Sequence, residues 1–128
     1  MSDLLLDTCA LIWLGQGGGE LSKEALVAID AAPIVYVSAI SAWELGLLCL
    51  KRQIVLPLSV DAWFKAFTTS QDIHVLDVDA AVALAANTLP WHHRDPADRF
   101  ILASAQLNGL GIVTHDARFE NYDIELIG

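Results

Sequence analysis

Short, continuously apolar runs alternate along this chain with longer stretches whose apolar residues recur at helical spacing. "LLLDT" (Leu4–Thr8), "PIVYVS" (Pro33–Ser38), "IHVLDV" (Ile73–Val78) and "GIVTHD" (Gly111–Asp116) are too short for helices and predict buried strands. "IELI" near the end predicts a short fifth strand. Between them, "CALIWLG" predicts a short helix closed by Gly15, followed by the flexible connection "GQGGGE". Ser22 caps a helix from Lys23 to about Ala31. "SAISAWELGLLCLKR" reads as a helix with Ser41 as its cap, and Ser59 caps the next, in "PLSVDAWFKAF". Asp79 caps "AAVALAANTL", which Pro90 ends, and Gly109 stops the amphipathic "RFILASAQLNG".

Strands alternating with helices predict an α/β fold: a three-layer α/β/α sandwich, with right-handed crossovers, around a central parallel sheet of four to five strands. In such sheets ligands bind at the carboxyl ends of the strands. Asp7 ends the first strand and Asp116 follows the fourth. Glu44 is placed in the first turn of the helix after the second strand, and Asp98 in the first turn of the helix that feeds the fourth. All four therefore belong on one edge of the molecule.

Each acid also has a plain structural role. Asp7 caps the helix beginning at Thr8, Glu44 completes a Ser41-x-x-Glu44 capping box, and Asp95 caps a helix with Pro96 at its first position. Asp98 then favours the helix dipole, and Asp116 starts a turn. A cap contributes only about 1 kcal/mol. Carboxylates about 5 Å apart repel by roughly 3 kcal/mol per pair at an effective dielectric of about 20. A cluster of four must bind cations or hold protons. Oxygen ligation with no required His or Cys points to Mg²⁺ or Mn²⁺.

The 128 residues fit one domain, residues 1–128, and at 55% hydrophobic and 18% charged the chain carries enough apolar surface for more than one core and for a partner. The longest stretches free of charge, Ala31–Trp43 and Ala80–His93, are too short to cross a bilayer. "MSDLLLDTC" carries acids rather than the basic run of a secretory signal, so a cytoplasmic location is expected. Cys9 and Cys49 make no disulfide framework and read as buried, reduced thiols. A net charge of −9 does not fit a simple nucleic-acid binder with a basic stripe, but it does fit carboxylates gathered around divalent ions.

Other strand-end aspartate chemistries fit less well. A haloacid-dehalogenase phosphatase needs a second Asp at the position of Cys9, and a receiver domain needs a late Lys, whereas none follows Lys65. No nucleotide-binding glycine loop is present.

"LLLDTCALIW", "SAISAWELGLL", "HRDPADRFILASA" and "GIVTHDARF" resemble, in order and spacing, the four motifs of the PIN-domain ribonucleases, and most closely those of VapC-type toxins. The resemblance implies an endoribonuclease that cuts single-stranded or loop RNA with one or two Mg²⁺ or Mn²⁺ ions, inhibits translation and leaves a 5′-phosphate and a 3′-hydroxyl. It places the family's acids on Asp7, Glu44, Asp98 and Asp116 as catalytic residues and metal ligands; the sequence leaves open whether Asp95 is a cap only or also joins a second ion through water. Ala97 departs from the bulky residue usual between Pro and Asp. Thr114, and secondarily Thr8, would orient a carboxylate or water. Arg94 and Arg99 would meet RNA phosphates, with an ion pair to a neighbouring acid as the competing role of Arg99. His92 and His93 read as solvated loop residues, and His115 as a substrate contact rather than a ligand. The resemblance also implies a homodimer and a cognate antitoxin, for which Trp13, Trp43, Leu47 and Leu48 lie on the early helices, with core packing as their alternative. The competing reading of the whole chain is a non-catalytic PIN-like module that binds a partner protein. The complete acid set weighs against that module, and the few basic residues weigh for it.

Overall fold

The computed structural model describes residues 2–128. Five strands, β1 (Leu4–Leu6), β2 (Val35–Ser38), β3 (Ile73–Leu76), β4 (Gly111–Val113) and β5 (Leu126–Ile127), form one sheet in the order β3-β2-β1-β4-β5. Every neighbouring pair is parallel, and Leu5 of β1 stands in register with Tyr36 on one side and Ile112 on the other. The chain moves outward from β1 through β2 to β3, then returns to the other side of β1. The order reverses at β1 and β4, where strand ends diverge and leave a crevice.

Six helices cover the sheet: α1 (Thr8–Gly15), α2 (Lys23–Ala31), α3 (Ala39–Leu50), α4 (Val60–Ser70), α5 (Ala80–Thr88) and α6 (Pro96–Asn108). Successive strand residues point to opposite faces. Leu4 and Leu6 join Leu11, Ala25, Val37 and Val113 in one core, on the side of α1, α2 and α4. Leu5 and Ile112 join Val82, Ile101, Leu102 and Phe119 in the other, under α5 and α6. The apolar excess of the sequence thus fills two cores, one on each face, in the expected three-layer arrangement.

Most helix starts fall where the sequence places them. Asp7, Ser22 and Asp79 accept hydrogen bonds from the backbone N–H of Ala10, Ala25 and Val82. Gly109 closes α6 with φ 63°, the left-handed conformation that glycine adopts without a Cβ clash. Helix α3 departs from expectation. Ser38, at the extended end of β2, accepts from the Ile40 N–H, and the helix begins at Ala39. The strand turns directly into the helix, so Ser41 is already inside it and buried, and no Ser41–Glu44 capping box exists. Glu44 consequently lies beyond the first turn.

Arg99 overturns both roles expected of it. It is 3% exposed, so it is closed to RNA, and among the described residues no carboxylate pairs with it. Its guanidinium donates to the carbonyls of Ala86, Leu89, Pro90 and His93 and lies 3.6 Å from the centroid of the Trp91 ring. Tyr122 adds a second tie, accepting from the His93 N–H and donating to Pro90 O. A fixed planar fork suits four converging carbonyls, whereas the compact ammonium of Lys does not span them. Arg99→Lys is therefore expected to lower unfolding stability by about 2–4 kcal/mol, since carbonyls are left unpaired beside a poorly placed buried charge. Denaturant midpoints of the two proteins at unchanged m-value measure this.

Candidate active site

The carboxyl edge of the sheet gathers Asp7, Thr8, Cys9, Trp13, Glu44, Asp98, His115, Asp116 and Arg118 around one cavity of about 320 Å³. Asp7 reaches it from the end of β1, Asp116 from the loop after β4, Asp98 from the first turn of α6 and Glu44 from α3. These four carboxylates come from sequence positions more than a hundred residues apart at the extremes. Parallel strands and the helix starts beside them bring the four to one place.

Asp7 is buried, and both its oxygens are engaged: Oδ1 accepts from Ala10 N–H at 2.8 Å and Oδ2 from the Thr114 hydroxyl at 2.5 Å. Thr114 Oγ1 in turn accepts from Asp116 N–H at 3.0 Å, tying the two strand-end acids to one hydroxyl. The Thr8 hydroxyl donates to Glu44 Oε1 at 2.5 Å and lies 2.9 Å from Ser41 Oγ. Because the Thr8 proton is used on Glu44, Ser41 is the donor to Thr8. Thus Ser41 supports Glu44 through a hydroxyl relay instead of capping its helix.

The four acids differ in charge state. Burial, followed by the neighbouring charges of Asp95, Glu44, Asp7 and Asp116, pushes Asp98 up to about 8. Asp7 and Glu44 are also raised by burial, opposed by their hydrogen bonds from Thr114 and Thr8. Asp116 goes the other way, to about 2, held mainly by Arg118. Arg118 Nε and Nη2 donate to its two oxygens at 3.0 and 2.8 Å. The set holds more negative charge than it can keep without a cation, and all its free donors are hard oxygens. That composition fits Mg²⁺ or Mn²⁺.

Asp95 caps α6, its Oδ1 accepting from Asp98 N–H at 3.3 Å, and remains exposed. Arg94 is exposed as well. His92 is a loop residue against the Tyr122 ring, as expected, but His93 is not solvated: it is fully buried. Its Nε2 lies 3.0 Å from both Asp98 Oδ2 and Asp116 Oδ2. The sequence offers only a His two residues before Asp95, and the burial comes from the Arg99 and Tyr122 ties. Arg118 was likewise missed; its place two residues after Asp116 is the one available signal. His115 is exposed, its Nε2 donating to Gly128 O, with its ring 4.9 Å from Trp13. Cys9, expected to be buried, is exposed on the cavity rim because it opens α1 on the site side; Cys49 is half-buried. Partial desolvation of the sulfur at the rim and the surrounding carboxylates raise the Cys9 thiol to about 11, so it stays protonated and is no nucleophile at neutral pH.

The PIN-domain family model matches residues 4–125. Ribonuclease VapC22 of Mycobacterium tuberculosis is 32% identical over 123 residues, covering 95% of this chain and 93% of that protein. Among solved structures, a DNA-bound VapBC from Salmonella typhimurium superposes with a TM-score of 0.71 at 23% identity, over 99% of this chain and 98% of that one. VapC20 of M. tuberculosis, a sarcin-ricin loop cleaving toxin, superposes with a TM-score of 0.70 at 18% identity, over 94% and 95% of the two chains. At those identities the two structures are evidence of the fold alone.

The raised Asp98 carboxyl has a consequence for stability. Below its ordinary value of 3.8 it is protonated both folded and unfolded; between there and about 8 only the folded state keeps the proton. Folding then takes up a proton, so stability falls as pH rises through this window. Asp7 and Glu44 act in the same direction, while Asp116 stays ionised throughout it. In EDTA the protein is expected to melt higher at about pH 5 than at about pH 8, and Asp98→Asn to flatten most of that slope. Thermal melts of both proteins across the range check it.

Proposed function

The chain belongs to the PIN-domain family, and on that premise we propose that it is a divalent-metal-dependent endoribonuclease, the toxin of a toxin–antitoxin pair that inhibits translation. The observation that carries the reading is the crowding of Asp7, Glu44, Asp98 and Asp116 at one cavity, where burial and the neighbouring charges raise Asp98 to about 8. The ribonuclease relative supports the substrate class.

Asp7, Asp98, Asp116 and Glu44 would hold one or two Mg²⁺ or Mn²⁺ ions, with Asp95 reaching in through water. Bound there, such an ion supplies Lewis acidity, neutralising phosphodiester charge and making water a competent nucleophile near neutral pH. The chain's own residues do the rest. Thr114 and the Ala10 N–H fix the plane of the Asp7 carboxylate, and Ser41 and Thr8 fix Glu44. Arg118 is 62% exposed in its side chain and stands over Asp116, where it faces an incoming phosphate. Arg94 on the neighbouring loop is the second cation open to RNA. Arg99 takes no part in binding. The net charge of −9 leaves RNA attraction to these local charges and to the metal.

An antitoxin and a second copy of this chain are the expected protein partners. Trp43 is 59% exposed, Leu50 two turns further along α3 is more exposed still, and Leu47 and Leu48 are half-buried, so these α3 residues offer apolar surface outside both cores, whereas Trp13 packs against the core under α1 and α2. No helix among the described residues is long and apolar enough to cross a membrane, and a cytoplasmic location is part of the proposal.

The purified, antitoxin-free protein is expected to cleave single-stranded RNA with Mg²⁺ or Mn²⁺ and to stop in EDTA. Cleavage that continues in EDTA would overturn the metal reading, and no cleavage under any metal would favour the non-catalytic module. Asp7→Asn or Asp98→Asn should lower the rate by about a hundredfold or more while the far-UV spectrum stays unchanged. Asp95→Asn should keep most activity, because Asn caps a helix about as well as Asp; a loss as deep as that of Asp98→Asn would make Asp95 a direct ligand.

A further inference from the structure

One set of ligand-type atoms at the site contains an imidazole: one atom each from His93, Asp98 and Asp116 lie within 4.8 Å of one another. By residue type alone this is a His/Asp/Asp metal centre, and such a centre would admit softer ions than Mg²⁺. The hydrogen bonds around the ring point elsewhere.

The backbone N–H of Asp95 donates to His93 Nδ1 at 3.2 Å, so Nδ1 presents its lone pair. In a neutral ring Nε2 then carries the proton. That nitrogen hydrogen-bonds Asp116 Oδ2 and has Asp98 Oδ2 at the same 3.0 Å. A ligating Nε2 would need its own lone pair free. The ring proton would then sit on Nδ1, facing the Asp95 N–H, and two donors would oppose each other inside the protein. A ring turned over would fill the same space but put C–H groups where Nδ1 now accepts from Asp95 N–H and Nε2 meets the two carboxylates. The ring is fully buried with its centroid 5.2 Å from that of Phe119. Its backbone is tied at both ends, N–H to Tyr122 and carbonyl to Arg99.

We propose that His93 is a positioning residue and not a metal ligand: its Nε2–H sits between the Asp98 and Asp116 carboxylates, sets their separation, and leaves their remaining oxygens to meet the cation. The Asp95 N–H that accompanies the α6 cap fixes the tautomer, so the residue that starts the helix also sets the donor between the two acids. This inference rests on the divalent-metal reading above. It makes the ligand set all-oxygen, which suits Mg²⁺ and Mn²⁺ over imidazole-seeking ions.

Mn²⁺ bound to the whole protein is the probe. Pulsed EPR of the Mn²⁺-loaded wild type is expected to show no coupling from a directly bound nitrogen. A nitrogen coupling present in the wild type and lost in His93→Gln would make His93 a ligand and overturn the proposal. Mn²⁺ titration followed by the free-ion EPR signal gives the second readout. His93→Ala should weaken Mn²⁺ binding by about ten- to a hundredfold, as loss of a group that orients ligands does. His93→Gln, whose amide N–H reaches the same place, should recover most of that loss. An alanine variant that binds Mn²⁺ as tightly as wild type would overturn the positioning role. Because the EPR arm uses the wild type, it decides the question even where the alanine variant does not fold. Absence of Mn²⁺ binding by the wild type would instead overturn the reading of the site itself, and this inference with it.

Discussion

Mutual repulsion among carboxylates is the constraint around which the carboxyl edge of this sheet is built. Four acids converge on one cavity, and the surrounding atoms treat each differently. Asp7 is stabilised by a backbone N–H and a hydroxyl, Glu44 by a hydroxyl relay, and Asp116 by a bidentate arginine. Asp98 faces the other carboxylates with the least direct support and takes up the proton. Holding that proton relieves part of the repulsion, and a divalent ion would relieve it with two charges instead of one. The α6 dipole, with its positive end beside Asp98, offsets part of the repulsion but not most of it.

The loop from Pro90 to Asp95 shows how a position is held rigid without secondary structure. Arg99 lies under it and donates to four carbonyls, while Tyr122 bridges His93 N–H and Pro90 O. A buried guanidinium with no carboxylate partner is costly to desolvate. Here the carbonyl dipoles and the face of Trp91 return part of that cost. The outcome is an imidazole held in one orientation between two acids, which loop flexibility would otherwise prevent. Catalytic geometry needs such support around the groups that act.

The acidity of the chain and its expected substrate are reconciled locally. On the proposed function, RNA would be drawn by the charge it meets at the cavity mouth and not by the sum over the surface, because screening limits surface charges to about 8–10 Å. Arg118 lies at that mouth, and Arg94 on the loop leading to α6. Arg118 also shields Asp116, so the same side chain that limits repulsion in the free protein would face phosphate in the proposed complex.

Strand ends and helix starts were legible in the sequence because they rest on local chemistry. Apolar runs fix Leu4–Leu6 and Gly111–Val113 as buried strands, and caps such as Ser22, Asp79 and Asp95 act within three residues of themselves. From those alone, the parallel sheet and the gathering of Asp7, Glu44, Asp98 and Asp116 at its carboxyl edge follow. The structure alone decided what depends on closure between distant elements. Ser38 rather than Ser41 caps α3 because β2 runs straight into the helix, which frees Ser41 to support Thr8 thirty-three residues away. Cys9 is exposed because its face of α1 turns to the cavity. Arg99 is buried under carbonyls of α5 and the loop after it, and His93 between acids from α6 and the end of β4. A polar side chain near an acid in sequence carries no record of which groups will surround it. That is fixed only when the sheet, α5 and the Tyr122 segment close over the loop and remove it from water.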